Sequence, residues 1–263
     1  MLPQAEDLRA EGKDLHAFLD GLGEADWDRP TPFKGWTPND VVRHLHFADW
    51  MAVLSMTDEP GFDAMLEKRR NQRDKAMTGS EEIGPKMESG RALHEQWYSY
   101  QQELCDLLNE RDPKDRVKWV GPSMSVRMCA TARQMETWAH AQDIYDLLRA
   151  PRQHHDRIRN IAEIGVRTYG WTFANRGLEP PGPMPFVRLA APSGTIWEWG
   201  ENTPDNRVEG MAVEFCQVVT QGRNIADVNL TVVGEPAAKW MAIAQCFAGD
   251  PKDPPAPGER AWS

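Results

Sequence analysis

Four prolines at positions 180, 181, 183 and 185, in the stretch RGLEPPGPMP, forbid a helix and divide the chain into parts with different hydrophobic periods. Before them, apolar residues recur at helical spacing. Residues 4–22 carry Leu8, Leu15, Phe18, Leu19 and Leu22. In GWTPNDVVRHLHFADWMAVLSM, Thr37 is placed as an N-cap, Pro38 occupies the first helical position and Asp40 the first turn, so a helix starts there. Residues 61–77, 85–110, 124–148 and 155–175 read as further helices, the last ending at Gly177. After the prolines the pattern shortens. FVRLAAP and TIWEWG read as strands around a Ser193-Gly194 turn, RVEG as an edge strand and DVNLTVVG as another strand, with helices over 210–221 and 235–248. The expectation is an α+β chain: a helical bundle over residues 1–178, joined to a small α/β domain over 179–263.

The 263 residues suffice for two domains with stable cores. With 30 basic and 40 acidic residues the net charge is −10, and no run of Lys or Arg tracks a phosphate backbone, so nucleic acid is not an expected partner. No stretch of about 18 apolar residues suggests a membrane span, and the N-terminus lacks a basic region followed by an apolar run. A cytoplasmic protein, monomeric or homodimeric, is expected. Cys105, Cys129, Cys216 and Cys246 lie far apart, form no CxxC pair and read as reduced core residues. The 11 tryptophans suit a core or an apolar ligand pocket.

Chemistry concentrates in the 124–148 helix. Arg133, Glu136, His140 and Asp143 follow one another at one-turn spacing and share a face. If that face meets water, Glu136 and His140 make a weak surface pair and nothing more; if it meets the bundle interior, a carboxylate and an imidazole need a compensating charge, which a divalent metal supplies. Glu136 and His140, four apart in ETWAH, converge on one ion only with a third ligand from another helix. His44 is the candidate, because Val41, His44, Leu45 and Ala48 make a mostly apolar face. His46 falls about 200° round the helix and is expected at the rim. Two His and one carboxylate leave a coordination position for water or substrate, and zinc is the first metal this set suggests. Asp143 is then expected to orient an imidazole, and Arg133 to hold an anionic substrate or Glu136. Cys129 and the pair His154-His155 read as core and as solvated residues, respectively.

WTPNDVVRHL, followed about 90 residues later by ARQMETWAHAQDI, resembles the metal-binding family that contains mycothiol-dependent maleylpyruvate isomerase, within the DinB-like four-helix-bundle superfamily. RVEGMAVEFCQVVTQGR and VVGEPAAKWMAIAQCFAG are similar to the small sterol-carrier-like α/β domain found behind that bundle. The resemblance implies the ligand set His44, Glu136 and His140. It also implies a small-molecule substrate and a low-molecular-weight thiol, mycothiol, as cofactor. Arg223, in TQGR, is then a candidate partner for a substrate carboxylate, reaching it across the domain interface. The expected activity is a thiol-dependent isomerase or S-transferase. A hydrolase or lyase using metal-bound water, or a non-catalytic binder of an apolar ligand, are the alternatives.

Overall fold

Thr37 starts the second helix through a reciprocal cap: its Oγ1 accepts from the Asp40 N–H at 3.2 Å, and its own N–H donates to Asp40 Oδ2 at 3.0 Å. With Pro38 at the first position, this fixes where the helix begins and hence where His44 falls, two turns in. The computed structural model describes residues 1–71 and 83–260. The chain divides into two compact units, Met1–Leu148 and Arg149–Ser263.

The first unit contains α1 (Pro3–Leu19), α2 (Pro38–Thr57), α3 (Glu59–Asn71), α4 (Gly90–Glu110) and α5 (Val126–Leu148). Helix α1 packs on α4 and α5, and α2 packs on α4, α5 and α3, so α1, α2, α4 and α5 make a four-helix bundle. A two-residue ribbon, β1 (Arg116–Val117) with β2 (Met124–Ser125), precedes α5. Leu15, Leu19, Val41, Leu45, Leu93, Trp97 and Ile144 form one part of the core, and Leu8, Ala52, Leu104, Leu108, Val126 and Cys129 another. Gly12 lets α1 approach α4: a Cβ there would lie 1.5 Å from Gln101 Oε1. The helix expected over residues 61–77 begins at Glu59, and its last positions lie outside the described residues. The helix expected from residue 85 starts at Gly90, which takes a positive φ of 57°.

The second unit contains α6 (Arg159–Arg167), α7 (Tyr169–Ala174), α8 (Ala212–Val219) and α9 (Glu235–Ile243). Its sheet comprises β3 (Phe186–Ala190), β4 (Ile196–Trp199), β5 (Arg207–Met211) and β6 (Thr231–Val233), in the order β4-β3-β5-β6. Strand β3 is antiparallel to β4, with Leu189 opposite Trp197, and parallel to β5, with Val187 opposite Val208; β6 is antiparallel to β5. The RVEG strand is therefore interior, because it pairs on both sides. Short-range alternation fixes which face a residue takes but not which strands flank it.

The unit boundary also differs from the expected 178/179. The helical segment after residue 155 packs on the sheet's own helices, α6 on α8 and α7 on α9. The proline segment lies within this unit, with Tyr169 donating to Gly182 O at 2.8 Å, so it connects α7 to β3 rather than one unit to the other. A close approach at Gly165 seals α6 against α8: a Cβ there would stand 2.9 Å from both Phe215 Cε1 and Val219 Cγ2. Gly165→Ala should overpack this contact and destabilise the second unit by about 1–3 kcal/mol, read as a lower denaturant midpoint at unchanged slope.

Candidate metal centre

His44 comes from α2, and Glu136 and His140 from adjacent turns of α5. His44 Nε2 lies 3.1 Å from Glu136 Oε2, and His140 Nε2 lies 3.6 Å from the same oxygen. One ligand atom from each of the three residues lies within 4.8 Å of the other two. On its far side, His140 Nδ1 is 3.0 Å from Asp143 Oδ2. Asp143 therefore accepts a hydrogen bond from Nδ1–H and turns Nε2 toward Glu136 and His44. The three side chains are 17%, 25% and 13% exposed for His44, Glu136 and His140, which leaves the cluster shielded but reachable from outside.

The segment just ahead of α2 supplies an aromatic wall. Trp36 stacks near-parallel to His140, with ring centroids 5.6 Å apart, and tilts against His44 at 5.3 Å. Phe33 meets His140 edge-on at 5.0 Å. Both rings are placed by a tight reversal in which Thr31 N donates to Trp36 O at 2.7 Å and Lys34 and Gly35 take φ values of 53° and 68°. Trp36 precedes the N-cap and packs against the core cluster that contains Val41 at the fourth helical position, a hydrophobic staple that ties the wall to the helix carrying His44.

The electrostatics match the geometry. Burial pushes the Glu136 carboxyl upward, but hydrogen bonds from His140 and His44 and their charges hold it well below the usual carboxylate range. Burial pushes His140 down, yet its bonds to Asp143 and Glu136 raise it to about 9. A free carboxylate thus lies between two imidazoles. This mixed set of two nitrogens and one oxygen fits a divalent cation such as zinc, which would take the place of the His140 Nε2 proton.

Arg133 has a different partner from the one the sequence suggests. Its side chain is 2% exposed and forms an ion pair with Asp49, 0% exposed, through Nε to Oδ1 at 2.8 Å, with Nη2 donating to Leu45 O at 3.4 Å. The other Asp49 oxygen accepts from Trp97 Nε1 at 3.1 Å. A guanidinium so buried and committed is a strut between α5 and α2, not a substrate-binding cation. Asp49 is legible in hindsight, because it shares the helical face of Leu45 and Ala52, where a carboxylate needs a partner. Arg223 lies in the second unit, buried at 4%, with Nη1 donating to Gly222 O. His46 is not at a rim: it is 2% exposed and meets Tyr100 edge-on at 5.2 Å. His154 is half-buried rather than solvated, and burial pushes it down to about 3. Trp138 is buried packing, and burial raises the Cys129 thiol to about 12, which excludes it as a nucleophile at neutral pH.

Residues 8–145, which include all three candidate ligands, match the family described as the mycothiol maleylpyruvate isomerase N-terminal domain. Uncharacterized proteins from two strains of Mycobacterium tuberculosis are each 38% identical to the chain over 253 residues, spanning 95% of it and 96% of their own length. A crystal structure of a variant of the mycothiol-dependent maleylpyruvate isomerase is similar in fold, with a TM-score of 0.50 at 15% identity over 82% of this chain and 87% of that one.

Two outcomes test the site's construction. Asp49→Ala strands the Arg133 charge in the core and should cost about 3–5 kcal/mol of unfolding free energy, whereas replacing Asp49 and Arg133 together by Leu and Met should cost much less. His44→Ala and His140→Ala should each remove one equivalent of zinc from the full chain, measured by elemental analysis after gel filtration.

Proposed function

The chain belongs to the family of the mycothiol maleylpyruvate isomerase N-terminal domain, and from that premise we propose a metal-dependent enzyme that uses a mycothiol-type thiol on a small electrophilic acid. The reaction is isomerisation or transfer of the thiol. The observation that carries this reading is the convergence of His44, Glu136 and His140 at a partly exposed position. An interior used only for packing has no reason to leave such a cluster reachable.

A divalent ion held by these three residues favours the thiolate form of a thiol, which is the nucleophile. Each residue of the chain then has a defined task. Glu136 supplies the compensating negative charge. His140 is presented in one tautomer by Asp143, and His44 is positioned by the capped start of α2. Trp36 and Phe33 shield the imidazoles from bulk water and offer flat apolar surface to an unsaturated substrate. The Arg133–Asp49 pair keeps α2 and α5 in register so that the three donors stay together.

The test is turnover of maleylpyruvate by zinc-loaded full-length protein with and without mycothiol, followed by loss of mycothiol in the presence of a simple alkylating electrophile. Thiol-dependent conversion of either kind is expected, falling at least about a hundredfold in His140→Ala through loss of the nucleophile's activation. Turnover that persists without thiol, or that ignores removal of the metal by a chelator, contradicts the proposal.

A further inference from the structure

A second group of metal-ligating side chains lies between α1 and α4, apart from the residues of the first. His16 Nδ1 and His94 Nε2 face each other at 2.5 Å, and the Glu95 carboxylate stands close enough that the three ligand atoms lie within 4.8 Å of one another. His16 is half-buried, His94 is fully buried and Glu95 is exposed, so the trio runs from the core to the surface.

An ordinary hydrogen bond between two neutral rings explains this pair poorly. The separation is below the usual 2.7–3.2 Å for N–H donors, and only one of the two facing nitrogens can carry the proton. His94 Nδ1 is buried without a hydrogen-bond partner, so the ring's one polar contact is through the nitrogen aimed at His16. A fully buried imidazole with its polar capacity committed to one point needs a reason to be there. Its surroundings also favour a ligand. His16 is held in plane by Tyr98, stacked at 3.9 Å with 7° between the rings, and His94 is flanked by Trp27 at 6.2 Å. Arg91, on the same helix as His94, is paired with Asp20.

We propose that His16, His94 and Glu95 form a second divalent-cation site that clamps α1 to α4. Two imidazole nitrogens and a carboxylate oxygen suit zinc or a similar first-row ion, with water completing the shell on the exposed side. The cation moves the two rings apart by a fraction of an ångström and replaces the single shared proton with two bonds. Its role is to hold the helices where Gly12 already lets them approach closely. This site is independent of the catalytic reading, since it uses neither α2 nor α5.

Zinc titration of the metal-stripped full-length chain, read by calorimetry and by thermal unfolding, tests it. Wild type should bind two equivalents, His44→Ala one, His16→Gln one, and the double variant none. Glu95 is exposed, so Glu95→Gln should leave the fold intact and weaken the second equivalent by about tenfold or more. Zinc should raise the Tm of His44→Ala but not that of the double variant. A His44→Ala protein that takes up no zinc overturns the second site, as does uptake that His16→Gln and Glu95→Gln leave unchanged. Failure of the catalytic site is separately visible as loss of the equivalent that depends on His44.

Discussion

A single buried ion pair sets the geometry of the bundle around its candidate site. Asp49 and Arg133 are both withdrawn from water, and each is stabilised there by more than the other: Asp49 also accepts from Trp97 on α4, and Arg133 also donates to the α2 backbone at Leu45. Three helices are thus tied at one point. Neither charge tolerates loss of its partner, so the arrangement admits one register of α2 against α5. His44 lies five residues before Asp49, and Glu136 lies one turn after Arg133. The separation of the three candidate donors is inherited from the strut.

Around that strut the site is built in layers with distinct roles. Asp143 fixes the His140 tautomer, Glu136 draws both imidazoles toward one oxygen, and the Thr31–Trp36 reversal closes an aromatic side over them. The raised proton affinity of His140 and the depressed one of Glu136 are two views of the same fact. The cluster concentrates negative charge around the His140 proton. All three candidate donors belong to the first unit, so the bundle alone assembles the candidate site.

Much of this is legible in the sequence because it rests on local rules. Thr37-Pro38 with Asp40 announces the start of α2, and Glu136, His140 and Asp143 share a face by helical spacing alone. The ligand from α2 follows from the apolar face of His44. What stays hidden depends on partners distant in the chain. Arg133 reads as a free cation until Asp49, 84 residues away, is placed beside it. Trp36 reads as a loop tryptophan until the staple to α2 turns it over the imidazoles. The unit boundary is hidden for the same reason. Periodicity identifies the helical segment after residue 155 but does not show that Gly165 opens it to Phe215 and Val219. RVEG likewise shows its alternation but not its two neighbours.

The claim on which everything functional rests is that one cation is held jointly by α2 and α5. Anomalous diffraction at the zinc edge from crystals of the zinc-loaded full-length protein tests it most directly. A peak about 2.0–2.2 Å from His44 Nε2, His140 Nε2 and a Glu136 oxygen is the expected result. Fully occupied zinc elsewhere, with no peak among these three residues and the His44–Glu136 contact intact, would contradict it.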